Sequence, residues 1–534
     1  MGGTLSIKHL QRVDNPRDAK EANLVEKLNL RRLSLAWENE SDLQSQDDVE
    51  KVLEALQPHT NLKRLDISGY KGDQFPSWIM DSTFNNVVYI KISNCDKCSQ
   101  LPPFVLLPSL RTLHLSNMSR VMYIDDHFQG GGMAIGFPSL QSLEIENLPS
   151  LQRFAREDGR KLLPRLTSLR IVTCPKLTSL QHLPSVEQLT VLGCNEVVLG
   201  SISNLKNLIS LYIEDNDELN YLPEGTLLNL TSLKTLKIYV FLKLKCLPTE
   251  IGSLSSLEKL DITSCPELES FPEQGMEGLK RLKYLTLEYC TKFTSLTESL
   301  QHLSCLESLK LRSCPELVAL PDGRKYLTSL CHLQLSGSKL EVLPDVLRYV
   351  PALQSMSISD CPNLESLPHW LGDLTSLQTL RISLCPKLQS LPASIQGITM
   401  LQKLSIYGCP ELEKRSEKEK GEDWYKIAHI PNVDEFIGVF PVSLLEVLLG
   451  KAKKYEKIDI TQLPKLAPLF DGLNCFETLI GMRSGHEIRC LNIESERHTC
   501  TTATTIITVA AIGDVHGFFL SSSLLQSSQA VLMP

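Results

Sequence analysis

Apolar residues in this chain recur in one phrase, L-x-x-L-x-L-x-x-C-P-x-L-x-x-L-P, met about sixteen times. It is clearest in SLEKLDITSCPELESFP (256–272), CLESLKLRSCPELVALP (305–321) and SLQTLRISLCPKLQSLP (376–392). The L-x-L core alternates apolar and polar, so each copy predicts a short strand with one buried face. Leu260 and Ile262 then point inward, and Lys259, Asp261 and Thr263 point outward. The P-x-L-x-x-L-P half returns the chain on the other side. Its prolines cannot donate to a hydrogen-bond ladder, so that side is expected to be extended or turn-like rather than regular helix.

From Leu208 onward the first leucine of each unit recurs every 23 to 25 residues, at Leu233, Leu257, Leu282, Leu306, Leu330, Leu353, Leu377 and Leu401; before Leu208 the spacing is loose. That period predicts a leucine-rich-repeat solenoid, because one unit cannot bury its own leucines and stacked units share a continuous core. The expected class is α/β: a curved stack with a parallel sheet on the concave face and an irregular or short-helical convex face. The expected extent is 1–430.

The slot after L-x-L-x-x is often cysteine: Cys95, Cys174, Cys194, Cys265, Cys290, Cys314, Cys361, Cys385 and Cys409, with Asn216 in one unit. A side chain there turns inward and can bond neighbouring backbone. These cysteines are one repeat apart and imply no pairing, so they read as reduced, buried thiols of a reducing compartment. The expected location is the cytoplasm, with the nucleus also open.

The central outward position of the strands reads Asp66, Lys91, His114, Glu144, Arg170, Thr190, Tyr212, Lys237, Asp261, Thr286, Lys310, Gln334, Ser357, Arg381 and Ser405. The framework keeps its residue types from unit to unit, while this column does not. Side chains that vary on a fixed scaffold are what a read-out surface needs. Candidate ligand-binding residues are therefore Tyr212, Lys237, Tyr239, Asp261, Tyr284, Lys310, Arg312, Arg381 and Tyr407, which include the tyrosines and arginines enriched at binding hot spots.

A net charge of −8 argues against non-specific nucleic-acid binding. No apolar run approaches the roughly 20 residues that span a bilayer. The start, MGGTLSIKHLQRVD, has no basic segment followed by a long apolar one, as a secretory signal would. Gly2 and Ser6 match the short myristoylation pattern, but GGTLSIKHLQRV already reads as a repeat-type strand that would bury Leu5 and Ile7.

Four segments add a family likeness: 2–37, VLEALQPHTNLKRLDISGYKGDQFPSWI (52–79), ISNCDKCSQLPPFVLLPSLRTLHL (92–115) and GEDWYKIAHIPNV (421–433). With the repeats, they make the chain similar to the leucine-rich-repeat region of plant coiled-coil nucleotide-binding disease resistance proteins. The resemblance implies a defence role and a protein ligand, either a pathogen effector or a host protein. It also implies contact with a nucleotide-binding receptor module, in cis or in trans. No G-x-x-x-x-G-K-[ST] occurs in the sequence; LLGKAKK (448–454) lacks the upstream Gly and the Ser/Thr. An ATP switch is therefore not implied for these residues, and no cofactor is expected.

Other motifs carry less. Cys95-Asp-Lys-Cys98 has no second pair to complete a zinc site, so core packing is expected. The mixed-charge run 411–424 reads as a solvated C-terminal cap near 411–430, with Trp424, Ile427 and Ile430 covering the last leucines. A tail, 431–534, breaks the repeat and is expected to be poorly ordered apart from one amphipathic helix over 441–458. Within it TTIITVAAIGDVHG (504–517) resembles the first motif of calcineurin-like metallophosphoesterases, which implies Asp514 and His516 as metal ligands. Residues 518–534 contain no Asp, Glu, His or Asn, so the set stays incomplete and no hydrolase is expected. A second use of leucine-rich repeats, as substrate adaptor of a ubiquitin ligase, needs an F-box-like segment for which the residues ahead of Leu30 leave too little room. The leading expectation is a non-catalytic recognition module.

Overall fold

The structure is a computed structural model and describes residues 3–435 apart from 14, 39–45, 81–82, 126–136, 156–162, 181–182, 215–218, 273, 295, 297–301 and 318–326. The chain divides into two units, Met1–Asp434 and Glu435–Pro534. Gly2, Asn216, the helix at 441–458, LLGKAKK and the Asp514/His516 motif all lie outside the described residues.

The first unit is an α/β leucine-rich-repeat solenoid built on an 18-stranded sheet. Most strands are five residues long and alternate inward and outward, as in Lys259–Thr263, Tyr284–Glu288, Ser308–Arg312 and Lys403–Tyr407. From Arg64–Ser68 to Lys403–Tyr407 neighbours pair in parallel without slippage: Leu260 lies beside Leu285, and Leu285 beside Leu309. Leu260, Ile262, Leu285 and Leu309 are fully buried. A one-residue slip would turn every one of them to solvent, which locks the register.

Most strands of the large sheet are followed at once by a left-handed residue, such as Asn94 (φ 59°), Ser264 (φ 58°), Tyr289 (φ 56°), Ser313 (φ 51°) or Leu384 (φ 51°). Its N–H extends the ladder by one bond, from Ser264 to the Glu288 carbonyl (2.8 Å) and from Ser313 to the Ser336 carbonyl (2.7 Å). The reversed dihedral swings the following residue into the core. That residue is the cysteine slot. Each slot thiol donates to the carbonyl two residues back: Cys95 to Ser93 at 3.3 Å, Cys314 to Arg312 at 3.4 Å, Cys385 to Ser383 at 3.4 Å. The slot also takes Tyr70, Met118, Leu148, Phe241 and Ser338, all buried, so inward volume rather than a thiol or amide is what the position demands. Burial pushes the thiols of Cys95, Cys174 and Cys265 up to about 12 and those of Cys194 and Cys314 up to about 11.

The return path runs through short 3-10 turns, several of them preceded by an extended proline: Thr249–Ser253 after Pro248, His369–Asp373 after Pro368, Ala393–Gly397 after Pro392. Proline presets φ and its missing N–H falls where no ladder exists. The loose spacing of the early units has a local cause. The helix Gln46–Ala55 is inserted between the strands Leu30–Ala36 and Arg64–Ser68. A small parallel pair, Tyr123–Asp125 with Arg153–Ala155, lengthens two later units. Gly3–Ile7 pairs in parallel with Leu30–Ala36, placing Leu5 and Ile7 against the core.

The charged run after the last repeat is mostly solvated, as its composition suggests, with Glu411, Glu413, Lys414, Lys418, Glu419, Lys420 and Glu422 exposed, but its end departs from that reading. Ile427 and Ile430 are buried and Trp424 packs on the core, but so do two charges: the side chains of Asp423 and Lys426 are 2% and 11% exposed. Asp423 accepts the Leu391 N–H at 3.0 Å and bonds Arg415 Nη2 at 3.0 Å and Lys426 Nζ at 2.8 Å. Lys426 in turn donates to the Leu391 carbonyl at 2.7 Å. The pair satisfies both backbone groups of a residue that has no further repeat to bond, so charge is drawn inward by unmet hydrogen bonds.

Candidate functional site: the outward face of the sheet

Seven of the nine candidate residues fall on five consecutive strands. Tyr212 lies on Ser210–Glu214, Lys237 and Tyr239 on Thr235–Tyr239, Asp261 on Lys259–Thr263, Tyr284 on Tyr284–Glu288, and Lys310 and Arg312 on Ser308–Arg312. Arg381 and Tyr407 stand apart on the last two repeat strands, Thr379–Ser383 and Lys403–Tyr407. Between Arg312 and Tyr407 the same column offers only Ser336, Ser359 and Ser383.

The group is braced from within. The rings of Tyr212 and Tyr239 meet edge to face, with centroids 5.0 Å apart, a geometry that aromatic quadrupoles favour. Tyr212 donates its hydroxyl to Glu214. Tyr239 donates to Asp261 Oδ2 at 2.8 Å, and Thr263 donates to Asp261 Oδ1 at 3.1 Å. Burial first, then this bond to Asp261, push the Tyr239 hydroxyl well above its ordinary range. Asp261 is only 8% exposed. It faces outward as expected, but its carboxylate is engaged by Tyr239 and Thr263; it orients other side chains rather than offering itself to a ligand. Arg312 reaches Glu288 at 3.4 Å, and Tyr284 reaches Glu307 at 3.3 Å while staying 42% exposed. The result is a rigid aromatic and polar surface whose tyrosine edges are already ordered.

Sequence reasoning missed Glu214, Thr263 and Glu288, which hold the candidates in place. Their signal was position: each occupies the last outward place of its strand. It also missed a second cluster near the other end of the sheet. There the Arg64 guanidinium sits 3.9 Å over the Tyr89 ring and bonds Asp66 at 3.0 Å. Nearby, His114 Nδ1 lies 2.8 Å from Glu144 Oε2. Cys95 and Cys98 are fully buried, the latter donating to the Gly72 carbonyl at 3.1 Å. Among the described residues no group of three or more His, Cys, Asp or Glu could hold a metal ion, and no helix is long and apolar enough to cross a membrane.

Comparison with known proteins agrees with this architecture. A family model described as R13L1/DRL21 LRRs matches residues 1–118, and one described as a leucine-rich repeat region matches residues 260–469. The chain is 40% identical over 256 residues to the disease resistance protein RGA2 of Solanum bulbocastanum, a match covering 47% of this chain and 24% of that one. It is 43% identical over 250 residues to RGA1 of the same species, covering 47% and 25%. It therefore spans about a quarter of the length of these relatives. A leucine-rich-repeat protein of Leptospira interrogans superposes with a TM-score of 0.51 at 22% identity, covering 81% of this chain and all of that one, a likeness of fold. The chain carries a leucine-rich-repeat region of the plant disease resistance type.

Proposed function

We propose that the outward face of the sheet is a protein-recognition surface of plant defence, binding a pathogen effector or a host protein without catalysis. The observation that carries this reading is the braced patch around Tyr212 and Tyr239. Its scaffold repeats from unit to unit while its outward side chains do not, and its aromatic groups are immobilised before any ligand arrives. Preordered side chains lose little entropy on binding. The same reading places the chain in the cytoplasm or nucleus, where buried free thiols persist. It also places a nucleotide-binding receptor module in contact with the repeats, in cis or in trans.

The test compares proteins recovered from infected tissue with the wild-type chain, with a Tyr212→Ala/Tyr239→Ala variant, and with Leu242→Ser, a change at an exposed residue off the strands. The expected result is a protein lost with the tyrosine variant and retained with Leu242→Ser. Identical recovery by all three, with unchanged circular dichroism, would overturn the proposal.

A further inference from the structure

The register of the sheet turns the central outward column read from the repeat into a row of side chains one strand spacing apart. Following the pairings strand by strand, the column runs Lys91, His114, Glu144, Arg170, Thr190, Tyr212, Lys237, Asp261, Thr286, Lys310, Gln334, Ser357, Arg381. A permanent cation stands at every third strand, five times in succession: Lys91, Arg170, Lys237, Lys310, Arg381. Along the chain these are 79, 67, 73 and 71 residues apart, so the period belongs to the sheet.

The acids inside this stretch are engaged locally. Glu144 is bonded by His114 at 2.8 Å, and Asp261 by Tyr239 and Thr263. None of the five cations makes a hydrogen bond or ion pair among the described residues. Arg170, Lys310 and Arg381 are exposed, and Lys91 and Lys237 are half-buried. The column therefore presents a cation without a direct partner at every third strand, with Glu144 and Asp261 beside Arg170 and Lys237 held by other groups, on a chain whose net charge is −8.

Strands about 4.8 Å apart put successive cations about 14 Å apart. An extended polypeptide rises about 3.4 Å per residue, so four residues cover nearly the same distance, and residues i and i+4 face the same side. In an α-helix 14 Å is between nine and ten residues, roughly 2.6 turns, which puts successive charges on different faces. We infer that the central column is a docking track for an extended acidic polypeptide segment carrying a carboxylate at every fourth residue. This deepens the recognition reading above and rests on it.

The test uses the full chain and fluorescence anisotropy with two labelled 17-residue Gly/Ser peptides of equal glutamate content, one with Glu at every fourth residue and one with Glu at every third. The expected result is at least tenfold tighter binding of the four-spaced peptide, weakening as salt rises. A Lys237→Ser/Lys310→Ser variant loses about tenfold, and a Lys245→Ser/Lys387→Ser control, off the column, is unchanged. Equal binding of the two peptides, no saturable binding of either, or preference for an oligothymidylate of equal charge would overturn the track. Each of those outcomes leaves the tyrosine test of the recognition face to stand or fall by itself.

Discussion

Replacing Asp423 by Ala isolates the device that closes the repeat stack. The substitution leaves the Lys426 ammonium buried with the Leu391 carbonyl as its hydrogen-bond acceptor and the Tyr425 ring 5.8 Å away, and leaves the Leu391 N–H without an acceptor. Breaking a buried ion pair from one side costs about 3–5 kcal/mol, within which an unpaired buried N–H accounts for about 1–3 kcal/mol. Each repeat contacts only its neighbours, so the loss falls on the C-terminal end of the solenoid rather than on the whole. Hydrogen exchange reads this directly. Amides of Thr379–Ser383 and Lys403–Tyr407 are expected to exchange faster by on the order of a hundredfold or more, while those of Lys259–Thr263 keep their protection. Glu422→Ala is the control. Its pair with Arg415 is shorter, at 2.6 Å, but 76% of the Glu422 side chain is exposed, so solvent screening leaves protection unchanged. Equal effects of the two substitutions would refute the argument that burial, not distance, sets the value of these pairs. The pH dependence has a definite sign. Burial pushes the Asp423 carboxyl up, but bonds from Arg415, Lys426 and Leu391 outweigh it and hold the group below its ordinary value. Its contribution is therefore complete above the unfolded carboxylate range, about 4, and is lost as pH falls through the depressed folded value. Wild type and Asp423→Ala are expected to converge there.

Two further outcomes follow from the strand ends and the cysteine slots. Val240 holds a left-handed conformation (φ 56°) that a β-branched side chain resists, so Val240→Asn is expected to stabilise the fold by about 1 kcal/mol; a lower urea midpoint would contradict this. Cys246 and Cys305 are exposed, whereas the slot thiols are buried. Iodoacetamide at pH 7.5, followed by peptide mapping, is expected to label that pair while Cys95, Cys174 and Cys265 react on the order of a thousandfold more slowly until the chain unfolds; early labelling of Cys265 would contradict the burial that raises its thiol.

The amino-acid sequence by itself determined the repeat, the face of each strand and the inward cysteine slot, because these depend on alternation within a few residues and on a period longer than any one element. It likewise placed Tyr212, Tyr239 and their neighbours on the outward face. It did not show that Asp261 would be covered, since that depends on Tyr239 reaching across from the adjacent strand. Nor did it show that the charges of Asp423 and Lys426 would be buried: a run of mixed charge looks solvated until the unpaired backbone of Leu391, more than 30 residues earlier, is set beside it. The order of Lys91, Arg170, Lys237, Lys310 and Arg381 was legible from the repeat, but their distances were not. The units differ in length, and only the hydrogen-bonded register, which advances one strand spacing per unit whatever its number of residues, sets the five in one evenly spaced row.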